Sequence, residues 1–188
     1  MLKNSSDCYG LIAVLMHWLI AVLIIGLFVM GVWMRELGYY DPWYHRAPEL
    51  HKSIGLLVLL LFAVRLCWRF YDPAPPPSQR LTRWERVASR IVHTSLYALS
   101  LVIIGSGYLI ATADNVGVSF FGWFEIPAGF TAFEHQEDRA GEIHKILAWV
   151  TMGLVLLHTV AALKHHYIDK DSTLVRMLGL RRRGNDSQ

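Results

Sequence analysis

Cysteine is nearly missing from these 188 residues: there are two, Cys8 and Cys67. One belongs to a short polar lead and the other to a long apolar run. They are too far apart in the expected topology to pair, so no disulfide is expected. No C-x-x-C-H occurs, which excludes covalent attachment of a c-type haem. Nothing resembles an internal repeat. Basic residues are scarce in one segment: 112–142 holds Arg139 alone, against Asp114, Glu125, Glu134, Glu137, Asp138 and Glu142. Polar residues overall are too few for an ordinary soluble domain. The chain is 54% hydrophobic, with a mean hydropathy of +0.33.

The apolar residues are clustered. Four windows are long enough to cross a bilayer, at about 11–34, 50–70, 91–111 and 143–163. The expected fold class is all-α: an integral membrane four-helix bundle forming one domain over 1–188. The first window is not expected to be a cleaved signal peptide. Its apolar run is too long, it lacks a small-residue cleavage site, and it contains His17. Trp18 and Trp33 stand near its two ends, as aromatic belts do.

Charge placement sets the orientation. Arg65, Arg69, Arg80, Arg83, Arg86 and Arg90 crowd the middle connection. Lys164, Lys170, Arg176 and the run Arg181-Arg182-Arg183 follow the last window, with 178–188 read as a basic tail. By the positive-inside rule both termini and the middle connection are expected to be cytoplasmic. The tail reads as an orientation signal beside anionic lipid rather than as a nucleic-acid site. The basic stretch 81–93 is amphipathic and is expected to lie along the inner surface before the third span rises. The acidic loop 117–142 is expected to be irregular, and loops of that length are usually functional.

The chemistry lies in the histidines. His144 and His158 are fourteen residues apart, which at 100° per residue is about 40° short of four turns, so they leave nearly one helix face. Along the axis they are separated by about 21 Å, one near each boundary of a hydrocarbon core about 30 Å thick. Ionisable groups at membrane depth are costly and usually functional. His17 matches the depth of His158, and His51 matches that of His144. Each pair comes from two helices, so each can clamp a metal from opposite sides. Two neutral imidazoles on opposite axial faces suit a b-type haem iron. Zinc wants four converging ligands, and no further Cys or carboxylate is offered at either depth. His93, at the start of the third span, is a rival that could replace His17 or His158.

Other residues surround the two expected centres. Arg65 lies fourteen after His51 and so reaches the inner level, where haem propionates would accept its guanidinium. Snorkelling to the nearby surface is the equal alternative. Lys52 and Lys145 directly follow outer histidines and could neutralise outer propionates; a solvated boundary lysine is the competing reading. Gly55 stacks one turn from His51. Gly26, Gly31, Gly105, Gly107 and Gly153 are read by default as helix–helix contacts. His165 and His166 follow the last span and would suit a quinone site, or simply anchor the helix end. The segment 167–177 could fold back beneath the bundle.

Several motifs carry a resemblance. They are His17-Trp18, WYHRAPELHKSIG from Trp43, VRLCWR from Val64, FGWFEIP from Phe121, GEIHKILAW from Gly141, and HTVAALKHHYIDKDSTLVRM from His158. With them the chain, over roughly 9–177, resembles the bacterial cytochrome b561 family. The resemblance implies a small four-helix protein of the cytoplasmic membrane with two haem b groups. It implies His17, His51, His144 and His158 as iron ligands, and gives His93 a counterpart that is not a ligand. It also implies single-electron transfer. One member of the family is a superoxide oxidase that reduces ubiquinone; others are carriers with no assigned donor. Two functions follow as expectations: oxidation of a periplasmic one-electron donor by ubiquinone, or a passive subunit serving a periplasmic protein partner through the loop 118–142.

Overall fold

The structure, a computed structural model, describes residues 1–78, 81–130 and 133–179. Arg80 and the basic run Arg181-Arg182-Arg183 lie outside the described residues. Four long helices carry the fold: α1 (Leu11–Trp33), α2 (Arg46–Tyr71), α3 (Arg83–Ala111) and α4 (Gln136–Tyr167). A hairpin of β1 (Val118–Phe120) and β2 (Phe124–Ile126) joins α3 to α4, and a short α5 (Thr173–Met177) follows. All four long helices are apolar enough to cross a membrane. Only 6–17% of each apolar window is buried within the chain. The leucines, valines and isoleucines point outward, because lipid rather than protein is their solvent. The interior is the more polar side. Buried residues include Ser53, Ser100, Ser106, Thr112, Gln136 and Thr151, beside Val58 and Phe62.

Helix α1 packs on α2, and α3 on α4, with α2 also meeting α3. With four crossings, the N-terminal lead and the segment after α4 fall at one end of the bundle, tied there by hydrogen bonds. Asn4 donates its backbone N–H to Asp72 Oδ2 at 2.9 Å, and Lys3 Nζ donates to Tyr71 Oη at 2.8 Å. Trp18 Nε1 donates to the Met177 carbonyl at 2.9 Å, and Arg176 Nη1 to that of Pro76 at 3.0 Å. The segment after α4 therefore does fold back under the bundle. Gly10, at the start of α1, lies under the N-terminal lead. A Cβ there would overlap the Leu2 carbonyl, so no larger residue fits.

Two expectations are corrected. The basic stretch 81–93 does not lie along the surface as a separate segment: from Arg83 on it is the first part of α3. Thr82 and Glu85 form a reciprocal capping box that starts the helix there, and no proline interrupts it before Ala111. The loop between α3 and α4 is also more ordered than expected. Its strands pair Val118 with Ile126 and Phe120 with Phe124. Phe121 and Gly122 turn the chain with φ of 50° and 75°, the sign a type I′ hairpin turn demands. Ser53 of α2, buried at 3% exposure, holds the hairpin down. Its Oγ accepts from Phe121 N–H at 3.0 Å and donates to the Ser119 carbonyl at 3.3 Å.

Candidate functional site

Helix α4 carries His144, Thr151, His158 and His165 at seven-residue intervals, close to two turns each, so all four share one inward-facing stripe. The other helices bring partners to that stripe at two levels. At the hairpin end, the ring of His51 from α2 stands with its centroid 6.2 Å from that of His144, the planes 69° apart. At the end bearing the termini, His17 from α1 stands 6.4 Å from His158, again at 69°. His93 of α3 also reaches His158, with centroids only 5.1 Å apart.

A cavity of 1060 Å³ opens between the helices around the His51–His144 pair, the size of a cofactor site. Lys52, Lys145 and Gly55 line it, as do the hydroxyl-bearing Ser100 and Thr151. The Thr151 hydroxyl is buried without a hydrogen-bond partner among the described residues. Gly55 itself faces open space. Two other glycines are the ones that make room for the histidines. A Cβ at Gly31 would sit 3.3 Å from His51 Cε1, and one at Gly107 equally 3.3 Å from His144 Cε1. Gly31 and Gly107 are thus helix–helix contacts, and what each admits is a histidine ring of the neighbouring helix. Which glycine faces a ring depends on the neighbouring helix, so their own helices gave no signal of it.

The second ring nitrogen differs from one histidine to the next. His144 Nδ1 lies 3.0 Å from the Ile103 carbonyl and 3.0 Å from Ser106 Oγ. A carbonyl can only accept, so Nδ1 carries the proton and Nε2 keeps a free lone pair. Ser106 Oγ donates its own proton to Ile103 O at 2.8 Å and so is left to accept from His144. His51 Nδ1 is buried and has no partner among the described residues. At the other level, Arg65 Nη2 lies 3.2 Å from His17 Nδ1 while its Nε donates to Tyr97 Oη at 3.1 Å. Guanidinium only donates, so in this arrangement His17 Nδ1 accepts. Sequence reading placed Arg65 at this level and missed Tyr97, Ser106 and the Ile103 carbonyl. None of the three is recognisable without knowing which helix lies opposite.

His165 and His166 follow at the end of α4. His165 Nδ1 is 2.7 Å from Asp169 Oδ2, and Lys164 Nζ binds both Asp169, at 2.7 Å, and Glu85, at 2.8 Å. The ammonium of Lys164, then the His165 ring, hold the Asp169 carboxyl below its ordinary range. His166 Nδ1 is buried with no partner among the described residues.

Four apolar helices around a histidine-lined interior define the class of protein: a multi-pass membrane cytochrome. Residues 8–180 match the family described as prokaryotic cytochrome b561. The chain is 48% identical to cytochrome b561 homolog 2 of Escherichia coli (strain K12) over 176 residues, 94% of each chain. It is 29% identical to a probable superoxide oxidase, CybB, of Yersinia pestis, over 93% of this chain and 97% of that one. It is also 30% identical to a cytochrome b562 of Cereibacter sphaeroides, over 90% and 94%. The chain belongs to the prokaryotic cytochrome b561 family. It is an inner-membrane electron-transfer protein of the b-haem type.

Proposed function

We propose that the chain moves single electrons across the inner membrane between a periplasmic one-electron donor and ubiquinone. His51 and His144 hold one haem b near the periplasm, and His17 and His158 hold a second near the cytoplasm. When bound, such a group supplies reversible one-electron iron chemistry. Ring spacing is the observation that carries this reading. A metal–imidazole bond is about 2.0 Å and a ring nitrogen lies about 1.1 Å from its centroid, so two imidazoles on opposite sides of one metal have centroids about 6.2 Å apart. The two pairs stand at 6.2 and 6.4 Å. His93, at 5.1 Å from His158, is too close to stand opposite it on one iron. For His17 to ligate through Nε2, its Nδ1 would have to carry the proton, and the Arg65 guanidinium, still held by Tyr97, would donate to a propionate instead. Lys52 and Lys145 serve the outer propionates.

The end bearing the termini is cytoplasmic, because Arg65, Arg69, Arg83, Arg86 and Arg90 gather there. Ubiquinone docks at that end beside His165 and His166. His166 has the unmet hydrogen-bonding capacity to meet a quinone carbonyl, and His165, through Asp169, a route for protons. Superoxide is a candidate donor, since a relative bears the name probable superoxide oxidase and Lys52 and Lys145 line the outer cavity. Exposed Phe121, Trp123 and Phe124 on the hairpin favour the second reading, a passive subunit that docks a periplasmic protein there. Mixing purified holoprotein with a superoxide burst and a short-chain ubiquinone separates the two. Haem reduction followed by quinol formation supports the oxidoreductase; no haem reduction leaves the docking subunit. In His165→Ala with His166→Ala, haem reduction persists while quinol formation slows markedly. A wild-type rate there refutes the quinone site.

A further inference from the structure

The two histidine pairs are built with opposite electrostatics around their second nitrogens. At the outer pair, His144 Nδ1 donates to a carbonyl and to a hydroxyl oxygen, both at 3.0 Å. Acceptors on the distal N–H make an imidazole more basic, which favours the oxidised, more positive state of a bound metal. The cavity's ionic lining gives no counterweight: Arg35, Lys52 and Lys145 face Asp114, Glu137, Asp138 and Glu142. At the inner pair a guanidinium stands at the level of His17, anchored by Tyr97 whether or not it bonds to the ring. A fixed cation favours the state that has gained an electron, most strongly at low dielectric.

We propose that the Ile103 carbonyl and Ser106 make the outer centre the lower-potential one, and that Arg65 makes the inner centre the higher, so that electrons fall inward. Ser106 and Arg65 act as positioning and tuning residues for a direction of transfer that the paired histidines alone leave symmetric. The transfer moves one electron and no proton: one oxidation at the outer centre balances one reduction at the inner. This rests on the two-haem reading above, and the experiment keeps the two apart.

Haem content is measured first, by pyridine haemochrome, in wild type and each variant. Potentiometric titration of the visible bands then gives the midpoints, and His158→Ala, retaining the outer haem, identifies the outer one. In wild type the outer midpoint lies below the inner. Ser106→Ala removes one acceptor from His144, and Gly107→Ala pushes the ring off the Ile103 carbonyl. Each raises the outer midpoint, by about 59 mV for a tenfold change in a one-electron equilibrium. Gly31→Ala applies the same push to His51, which has no such bond, and shifts the midpoint less. Arg65→Met lowers the inner midpoint, and Arg65→Lys restores most of it. One haem per chain in wild type sinks the two-haem reading itself. Two haems with the outer midpoint above the inner, or with no rise in both Ser106→Ala and Gly107→Ala, overturns the tuning while leaving that reading intact.

Discussion

His17 and His93 both touch His158, and one substitution at each distinguishes an iron partner from a neighbour. The ring of His17 stands 6.4 Å from that of His158, at 69°. The ring of His93 stands 5.1 Å away, at 71°. Orientation is therefore the same for the two, and only distance discriminates. Two imidazoles on opposite sides of one metal stand about 6.2 Å apart, which His17 meets and His93 misses by about an ångström. To reach that span His93 would have to draw back along α3, whose backbone is fixed in register by its own helical hydrogen bonds. His17→Ala therefore lowers the haem content from two per chain to one, while His93→Ala keeps two. The assay is pyridine haemochrome against protein determined by amino-acid analysis, with the low-spin electron paramagnetic resonance signals counted in parallel. Because Ser89 Oγ, 3.3 Å away, is the polar neighbour that His93 Nδ1 meets, its loss strands no buried charge. Loss of a haem in His93→Ala with retention in His17→Ala would refute the spacing argument outright.

Three further outcomes are expected. Ser53→Ala leaves the part-buried Phe121 N–H without its acceptor, which costs about 1 kcal/mol; hydrogen exchange at Phe121 in lipid nanodiscs should speed by about fivefold, and unchanged protection would mean the hairpin is held elsewhere. The Asp169 carboxyl sits below its ordinary range because of Lys164 and His165, so its contribution to closing the terminal end is complete above the usual value of 3.8 and fades only as pH falls through the lower folded one. Proteolysis of the segment after α4 should thus be flat from pH 7 to 5 in wild type and faster throughout in Asp169→Asn; a wild-type transition near neutral pH would contradict this. A C-terminal alkaline phosphatase fusion should be inactive in intact cells, and an active one would reverse the membrane orientation.

Much of this protein was decided by its sequence alone. Four apolar runs of bilayer length can do little else in water or lipid than become spanning helices, because every backbone group in hydrocarbon must be bonded within its own segment. Helical periodicity also placed His144 and His158 on one stripe and Arg65 fourteen residues from His51, since face and depth follow from residue count. Periodicity says nothing of what stands opposite. That the ring of His93 lies against His158 at 5.1 Å, that Gly31 and Gly107 rather than Gly55 are the residues against the histidine rings, and that Ser106 and the Ile103 carbonyl hold His144 while Arg65 faces His17, were decided only when four helices packed. The same holds for stretch 81–93, whose amphipathic pattern fits a surface helix equally well, until the Thr82–Glu85 cap runs it straight into α3. Contacts between helices depend on their relative rotation and register, and those are set jointly by all the partners rather than by any one segment's pattern.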